Sequence, residues 1–293
     1  MEKLKNILVV GGTHGNEMTG ISLLQYWANS DYLQRPGLNI DTLLANPQAT
    51  QLGRRYVDYD LNRAFTKELL DKSNETRSED IKRAREIAEI YSENGSKFWP
   101  DMVIDIHNST ANMGQTLIIN NPHPITRSIV AHLAQEFPMV KILQEPILGD
   151  NNPYLASIGK LDLTVEIGPQ PHGTLNADLF FSTEKLVQRV LDLIVQYNEN
   201  KLPLASLETT YFEQSDAVDY PRNSKHELDA MIHPNLWGAD YQALEKGAKV
   251  FVDFSGNAIQ WKGETTWPCF IGEVAYLEKK IAFIKTDKKT ALW

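Results

Sequence analysis

The chain reads as an α/β protein with a smaller β-rich part at its C-terminal end. Three observations predict this. Over the first 200 residues, short β-branched runs alternate with stretches of helical period, the pattern of a sheet covered by helices on both faces. After Asn198-Glu199-Asn200-Lys201-Leu202-Pro203 the long helical periods largely stop, and Gly, Pro and Asn punctuate short strand-like runs. Apolar residues make up 42% and charged residues 23% of 293 residues, which is globular and not disordered. We therefore expect an α/β domain over residues 1–200 and a β-rich domain over residues 201–293.

The elements follow in order. Ile7–Val10 is a β-branched run that stops at Gly11-Gly12, a buried strand running into a loop. Glu17–Ala28 carries Met18, Ile21 and Leu24 at helical spacing. Asp41–Ala45 is a strand halted by Asn46-Pro47. Ser78–Tyr91 is an amphipathic helix with Ser78 in its N-cap region. Met102–Ile106 and Thr116–Ile119 are strands, Ile125–Phe137 is a helix, and Val140–Leu143 and Leu163–Ile167 are strands. Ser182–Tyr197 is a long helix with Leu186, Val190, Leu193 and Ile194 on one side. Beyond it, Thr209–Phe212, Val250–Phe254, Phe270–Leu277 and Ile281–Lys285 read as short strands.

Charge and cysteine content narrow the function. Lys and Arg number 29 and Asp and Glu 38, a net charge of −9, which argues against nucleic acid as a partner. The single cysteine, Cys269, forbids an internal disulfide. The first apolar run is too short for a signal peptide, and no run approaches a membrane span. The expectation is a cytoplasmic protein with no membrane partner.

Three strand ends carry candidate chemistry. In Gly11-Gly12-Thr13-His14-Gly15-Asn16-Glu17, an imidazole and a carboxylate three positions apart suit Zn²⁺; a helix-capping histidine beside a solvated glutamate is the plain alternative. In Asp105-Ile106-His107-Asn108, His107 ends an apolar strand at the sheet edge where α/β folds place ligands, and Asp105 is positioned to orient it; a buried ionisable pair is the alternative. Two histidines and one glutamate leave a fourth position open, as in catalytic zinc sites. In Thr164-Val165-Glu166-Ile167-Gly168-Pro169, a glutamate inside an apolar strand is costly unless paired or used to move protons; the alternative is an edge strand facing solvent. Between these lies Gly53-Arg54-Arg55-Tyr56-Val57-Asp58-Tyr59-Asp60-Leu61-Asn62-Arg63. Its arginines form either an anion pocket or a loop laced with Asp–Arg pairs.

Together GGTHGNEMTG, RYVDYDLNR, DIHNSTANMG, VEIGPQPHG, DYPRN, MIHPNLWG and AYLEKK resemble the aspartoacylase family, within the aspartoacylase/succinylglutamate desuccinylase branch of the zinc carboxypeptidase-like superfamily. The resemblance implies a mixed sheet with flanking helices and a C-terminal domain that narrows the active-site channel. It implies one zinc per chain on His14, Glu17 and His107, Glu166 as general base, and Arg55 polarising the scissile carbonyl. It also implies Asn62 and Arg63 on a substrate carboxylate, with Tyr276 and Lys280 reaching the substrate. The activity implied is hydrolysis of N-acetyl-L-aspartate to acetate and aspartate by a possible homodimer. N-acyl aromatic or N-succinyl amino acids, and a zinc-binding protein without catalysis, are the other readings. One departure stands out: where the animal enzymes have an arginine about ten residues before the catalytic glutamate, this chain has Ala156, and the nearest cation is Lys160.

Overall fold

A computed structural model describes residues 2–146 and 149–293. In chain order its elements are β1 (Asn6–Gly11), α1 (Met18–Trp27), β2 (Asn39–Leu44), α2 (Pro47–Leu52), α3 (Lys67–Leu70), α4 (Glu79–Ile90), β3 (Met102–Asn108), β4 (Gly114–Ile119), α5 (Pro124–Glu136), β5 (Val140–Gln144), β6 (Leu161–Gly168), α6 (Ala177–Asn198), β7 (Glu208–Val218), β8 (Ala230–Ile232), β9 (Lys249–Asp253), β10 (Ala258–Gln260) and β11 (Phe283–Leu292). Eight strands form one mixed sheet in the order β11-β7-β5-β4-β6-β3-β1-β2, and β10-β9-β8 form a second, antiparallel sheet.

The pleat explains how β1 serves two layers. Ile7 and Val9 belong to the core that holds Leu23 of α1, Ile129 of α5, and Leu186, Val187 and Val190 of α6. Leu8 and Val10 belong to the core on the other side, with Ile81, Ala84 and Ile87 of α4. All four are fully buried, so a continuous apolar run is what a two-sided strand requires. Ser78 caps α4 by accepting from the Ile81 N–H. Helix α6 begins at Ala177, ahead of the expected Ser182, because Asn176 accepts from the Asp178 and Leu179 N–H groups and starts the helix there. Asn46-Pro47 ends β2 as expected and also opens α2, with Asn46 as its cap.

Residues after 201 contribute to both sheets. β7 pairs in parallel with β5 and antiparallel with β11 along nearly its whole length, so the large sheet continues into the C-terminal part of the chain. The expected strand Phe270–Leu277 does not form. Phe270 (φ 52°) and Gly272 (φ 68°) both turn left-handed, and Glu273 then caps a single 3-10 turn, Val274–Tyr276. The apolar run that suggested a strand instead buries Phe270 and Ile271 in two separate cores, and Glu273 ties the turn to the loop that follows β3. Among the described residues no helix is long and apolar enough to cross a membrane.

Candidate active site

The strands β1, β3 and β6 are adjacent, and each delivers a chemical group at one end. After β1 the loop is pressed against α2: a Cβ on Gly15 would lie 2.1 Å from the Ala49 carbonyl carbon. The Gly15 N–H donates to the Arg55 carbonyl at 3.1 Å, which draws the arginine segment under the loop. Glu17 occupies the N-cap position of α1. His107 is the penultimate residue of β3 and stands in register with Glu166 on β6. Four groups distant in sequence thus meet at one sheet edge.

Three of these side chains, His14, Glu17 and His107, lie close enough together to hold a metal ion. The Nδ1 atoms of His14 and His107 are 3.2 Å apart, and Glu17 oxygens lie 2.7 Å and 3.0 Å from them. The opposite nitrogens are engaged elsewhere: His14 Nε2 is 3.0 Å from Asp60 Oδ1, and His107 Nε2 is 2.8 Å from Asp105 Oδ2. Protons at Nε2 satisfy both aspartates and leave two Nδ1 lone pairs facing each other, which repel unless a cation lies between them. Tetrahedral Zn²⁺ with ligands at ~2.0–2.1 Å places nitrogens about 3.3 Å apart, close to what is found. The donor set fits the metal. Asp105 also accepts from Thr13 Oγ1, so it orients His107 as its sequence position suggested.

The remaining residues surround this centre. Arg55 Nη1 donates to Glu17 Oε1 at 3.1 Å, and its other nitrogen lies 3.5 Å from Asp60. Burial works to raise the Asp60 pKa, but the hydrogen bond and charge of His14, with Arg55 and Arg63, hold it well below the usual carboxylate range. Burial pushes Glu166 well up, helped by Glu17 and Glu273 and opposed by His107 and Arg55. Asn62, Arg63 and Tyr276 line the same cavity. Arg63 lies over the Tyr154 ring at 4.8 Å, and Asn62 Oδ1 accepts the Leu155 N–H.

Two cations differ from expectation. Lys280 is exposed and does not line the cavity; its neighbour Lys279 does approach, with Nζ 3.7 Å from Asp60 and over the Tyr276 ring. Lys280 itself sits in a left-handed turn (φ 59°) just past Lys279. Burial, then the nearby Arg63, lower the Lys279 pKa to about 8. Lys160 cannot replace the absent arginine: it pairs with Asp101 at 2.9 Å and Glu2 at 3.3 Å, at the start of β6 and away from Glu166. Ala156 itself is buried in the core beneath α4.

Three site residues escape sequence reasoning. Asp60 was visible only as part of an Asp–Arg segment. Glu145 lines the cavity from the end of β5. Glu273 is buried and accepts from Ser109, Thr110 and Ala111, tying the C-terminal turn to the loop after β3. The partners of Glu145 and Glu273 lie far off in the chain, and no local pattern signals them.

A sheet-edge cluster of two imidazoles and a carboxylate, beside a buried glutamate and an arginine, defines a hydrolase site able to hold one metal ion. Residues 3–194 match the succinylglutamate desuccinylase/aspartoacylase catalytic domain, and residues 207–288 match the AstE/AspA barrel-sandwich hybrid domain. The chain belongs to this family of hydrolases. A probable aspartoacylase of Nostoc sp. is 39% identical, with 99% of this chain and 98% of that protein covered. The N-acyl-aromatic-L-amino acid amidohydrolase (carboxylate-forming) of Homo sapiens is 38% identical, covering 99% and 92%. The crystal structure of murine aminoacylase 3 superposes with a TM-score of 0.91 at 35% identity, covering 99% and 97%.

Proposed function

We propose that this protein is a zinc-dependent amidohydrolase that cleaves small N-acyl amino acids into a carboxylate and a free amino acid. The observation that carries this reading is the pair of Nδ1 atoms converging with Glu17, with Glu166 in register beside them. When bound, zinc supplies a Lewis acid that polarises the amide carbonyl and acidifies water. Glu166 accepts the proton of the attacking water and delivers it to the departing amine; its burial, which raises its pKa, strengthens it as a proton acceptor. Arg55 stabilises the developing oxyanion. Asp60 and Asp105 hold the two imidazoles in the tautomer that leaves Nδ1 free. Arg63, with Asn62 and Tyr276, receives a substrate carboxylate.

Relation to the aspartoacylases points to N-acetyl-L-aspartate, whereas the lack of an arginine at Ala156 favours N-acyl amino acids with uncharged side chains. A zinc-binding protein without catalysis is disfavoured because Glu166 and Arg55 both line the cavity. The test is Glu166→Gln assayed on N-acetyl-L-aspartate, an N-acetyl aromatic amino acid and N-succinylglutamate, with zinc measured in parallel. Turnover should vanish while zinc stays bound, and chelation should abolish wild-type activity reversibly. Near-native turnover in the variant would refute the mechanism. The resemblance also implies a homodimer, which light scattering checks.

A further inference from the structure

The cavity contains few uncommitted positive charges. Four carboxyl side chains line it, Glu17, Glu145, Glu166 and Glu273, against two guanidinium groups, Arg55 and Arg63. Arg55 is bridged to Glu17 and Asp60. Arg63 faces the charges of Asp60 and Glu145. Lys279 stands at the rim beside Asp60, and Lys160 lies at the far end of β6. Once Arg63 has taken one substrate carboxylate, no lining cation among the described residues is left for another.

The wall next to Arg63 carries a buried carboxylate and an amide held against it. Ile119 of β4 and Gln144 of β5 are register partners, so Asn120 and Glu145 follow them side by side. Asn120 Nδ2 donates to Glu145 Oε2 at 3.1 Å, and its backbone N–H donates to Asp162 on β6 at 2.9 Å. Asn120 is 6% exposed, yet its Oδ1 has no hydrogen-bond partner. A buried amide oxygen left open in a ligand cavity calls for a donor from the ligand. Tyr154 lines the cavity with Glu145.

We propose that the pocket accepts an N-acyl amino acid with a single carboxylate, and that Glu145, held by Asn120, is the specificity-determining residue that turns away a second. This rests on the function proposed above and names its substrate class: amino acids whose side chain is uncharged, best when it ends in a hydrogen-bond donor such as a carboxamide or hydroxyl. A second carboxylate would meet Glu145 and the Asn120 oxygen across a short, poorly hydrated gap, where like charges repel strongly.

N-acetyl-L-asparagine and N-acetyl-L-aspartate have the same shape and differ by one charge, so this pair isolates the effect. Their Kd values are measured by calorimetry on zinc-loaded Glu166→Gln protein, and kcat/KM on the wild type. The asparagine compound should bind at least about tenfold more tightly, the scale of one unfavourable buried charge contact. Adding Glu145→Gln should narrow that ratio to within about threefold, chiefly by strengthening the aspartate compound. Equal or tighter binding of the aspartate compound in the Glu166→Gln parent overturns the proposal, whatever the folding of the second variant. An unchanged ratio in a Glu145→Gln protein that melts normally also overturns it. If the asparagine compound binds more tightly but the wild type cleaves neither, the proposed activity fails and this inference stands; if both are cleaved and aspartate is preferred, the reverse holds.

Discussion

Replacing Glu273 by Gln keeps the shape of a side chain that joins the two parts of the chain and removes only its charge and one acceptor. One carboxylate oxygen of Glu273 accepts from the Ser109 hydroxyl and from the Thr110 N–H at 2.8 Å and Thr110 Oγ1 at 3.0 Å; the other accepts the Ala275 N–H at 3.0 Å. A glutamine can offer its oxygen to only one of these ends. With the oxygen toward Ser109 and Thr110, its amide N–H₂ faces the Ala275 N–H, and a buried donor without a partner costs about 1–3 kcal/mol. The surviving bonds fall from about 1.5–3 kcal/mol each, with a charged acceptor, to about 0.5–1.5. Over the three bonds to Ser109 and Thr110 plus the orphaned donor the sum is about 4–7 kcal/mol, a large share of the ~5–15 kcal/mol by which proteins are stable. Urea unfolding followed by tryptophan fluorescence should show stability falling by that amount. Because the same contact holds Ala275 and Tyr276 over the cavity, KM should rise while zinc affinity is kept. A loss of less than about 1 kcal/mol, the range of ordinary surface changes, would refute the reasoning.

Two further outcomes follow from the site. Asp60→Asn removes the carboxylate that fixes the His14 tautomer, so zinc affinity measured by chelator competition should fall about 10–100-fold; unchanged affinity would show that Asp60 does not orient the ligand. Lys279 titrates near 8 at the cavity rim, so it is cationic below that pH and neutral above it. KM for an anionic N-acyl amino acid should therefore rise as pH passes about 8, and Lys279→Met should give a higher, flat KM across that range; a rise that persists in the variant would assign the titration elsewhere.

The His14–Glu17–His107 group that could hold a metal was legible because its residues end apolar strands: His14 and Glu17 follow β1 in a glycine loop, and His107 lies at the end of β3. Glu166 was legible because a carboxylate inside an apolar strand needs a reason. Arg55 and Arg63 stood in an arginine-rich segment that read equally as an anion pocket or as a loop of Asp–Arg pairs, Asn62 and Tyr276 had no local mark, and resemblance to a known family gave all four their roles. The strand expected at Phe270–Leu277 failed because apolar content there reflects two cores filled by neighbouring residues, while backbone turns at Phe270 and Gly272 set the path. Lys279 and Lys280 are chemically identical in sequence, and only the folded turn shows that Lys279 is the one beside Asp60 and Tyr276. Glu145 and Asn120 meet because β4 and β5 are in register, a fact of topology that no single segment contains.

The β7–β11 ladder has a practical consequence for exchanging parts between relatives. Its register runs from Phe283↔Val218 to Leu292↔Glu208, and β7 is also bonded to β5. A chimera spliced near residue 200 would thus graft two strands of someone else's sheet onto this one, and each cross-strand pair would have to be matched again. A splice that keeps Glu208–Val218 and Phe283–Leu292 native and exchanges only the stretch between them would carry over the turn bearing Glu273, Tyr276 and Lys279 as a cassette. The part of the cavity wall built by that turn could then be exchanged while Glu145 and the strand ends carrying His14, Glu17 and His107 stay native.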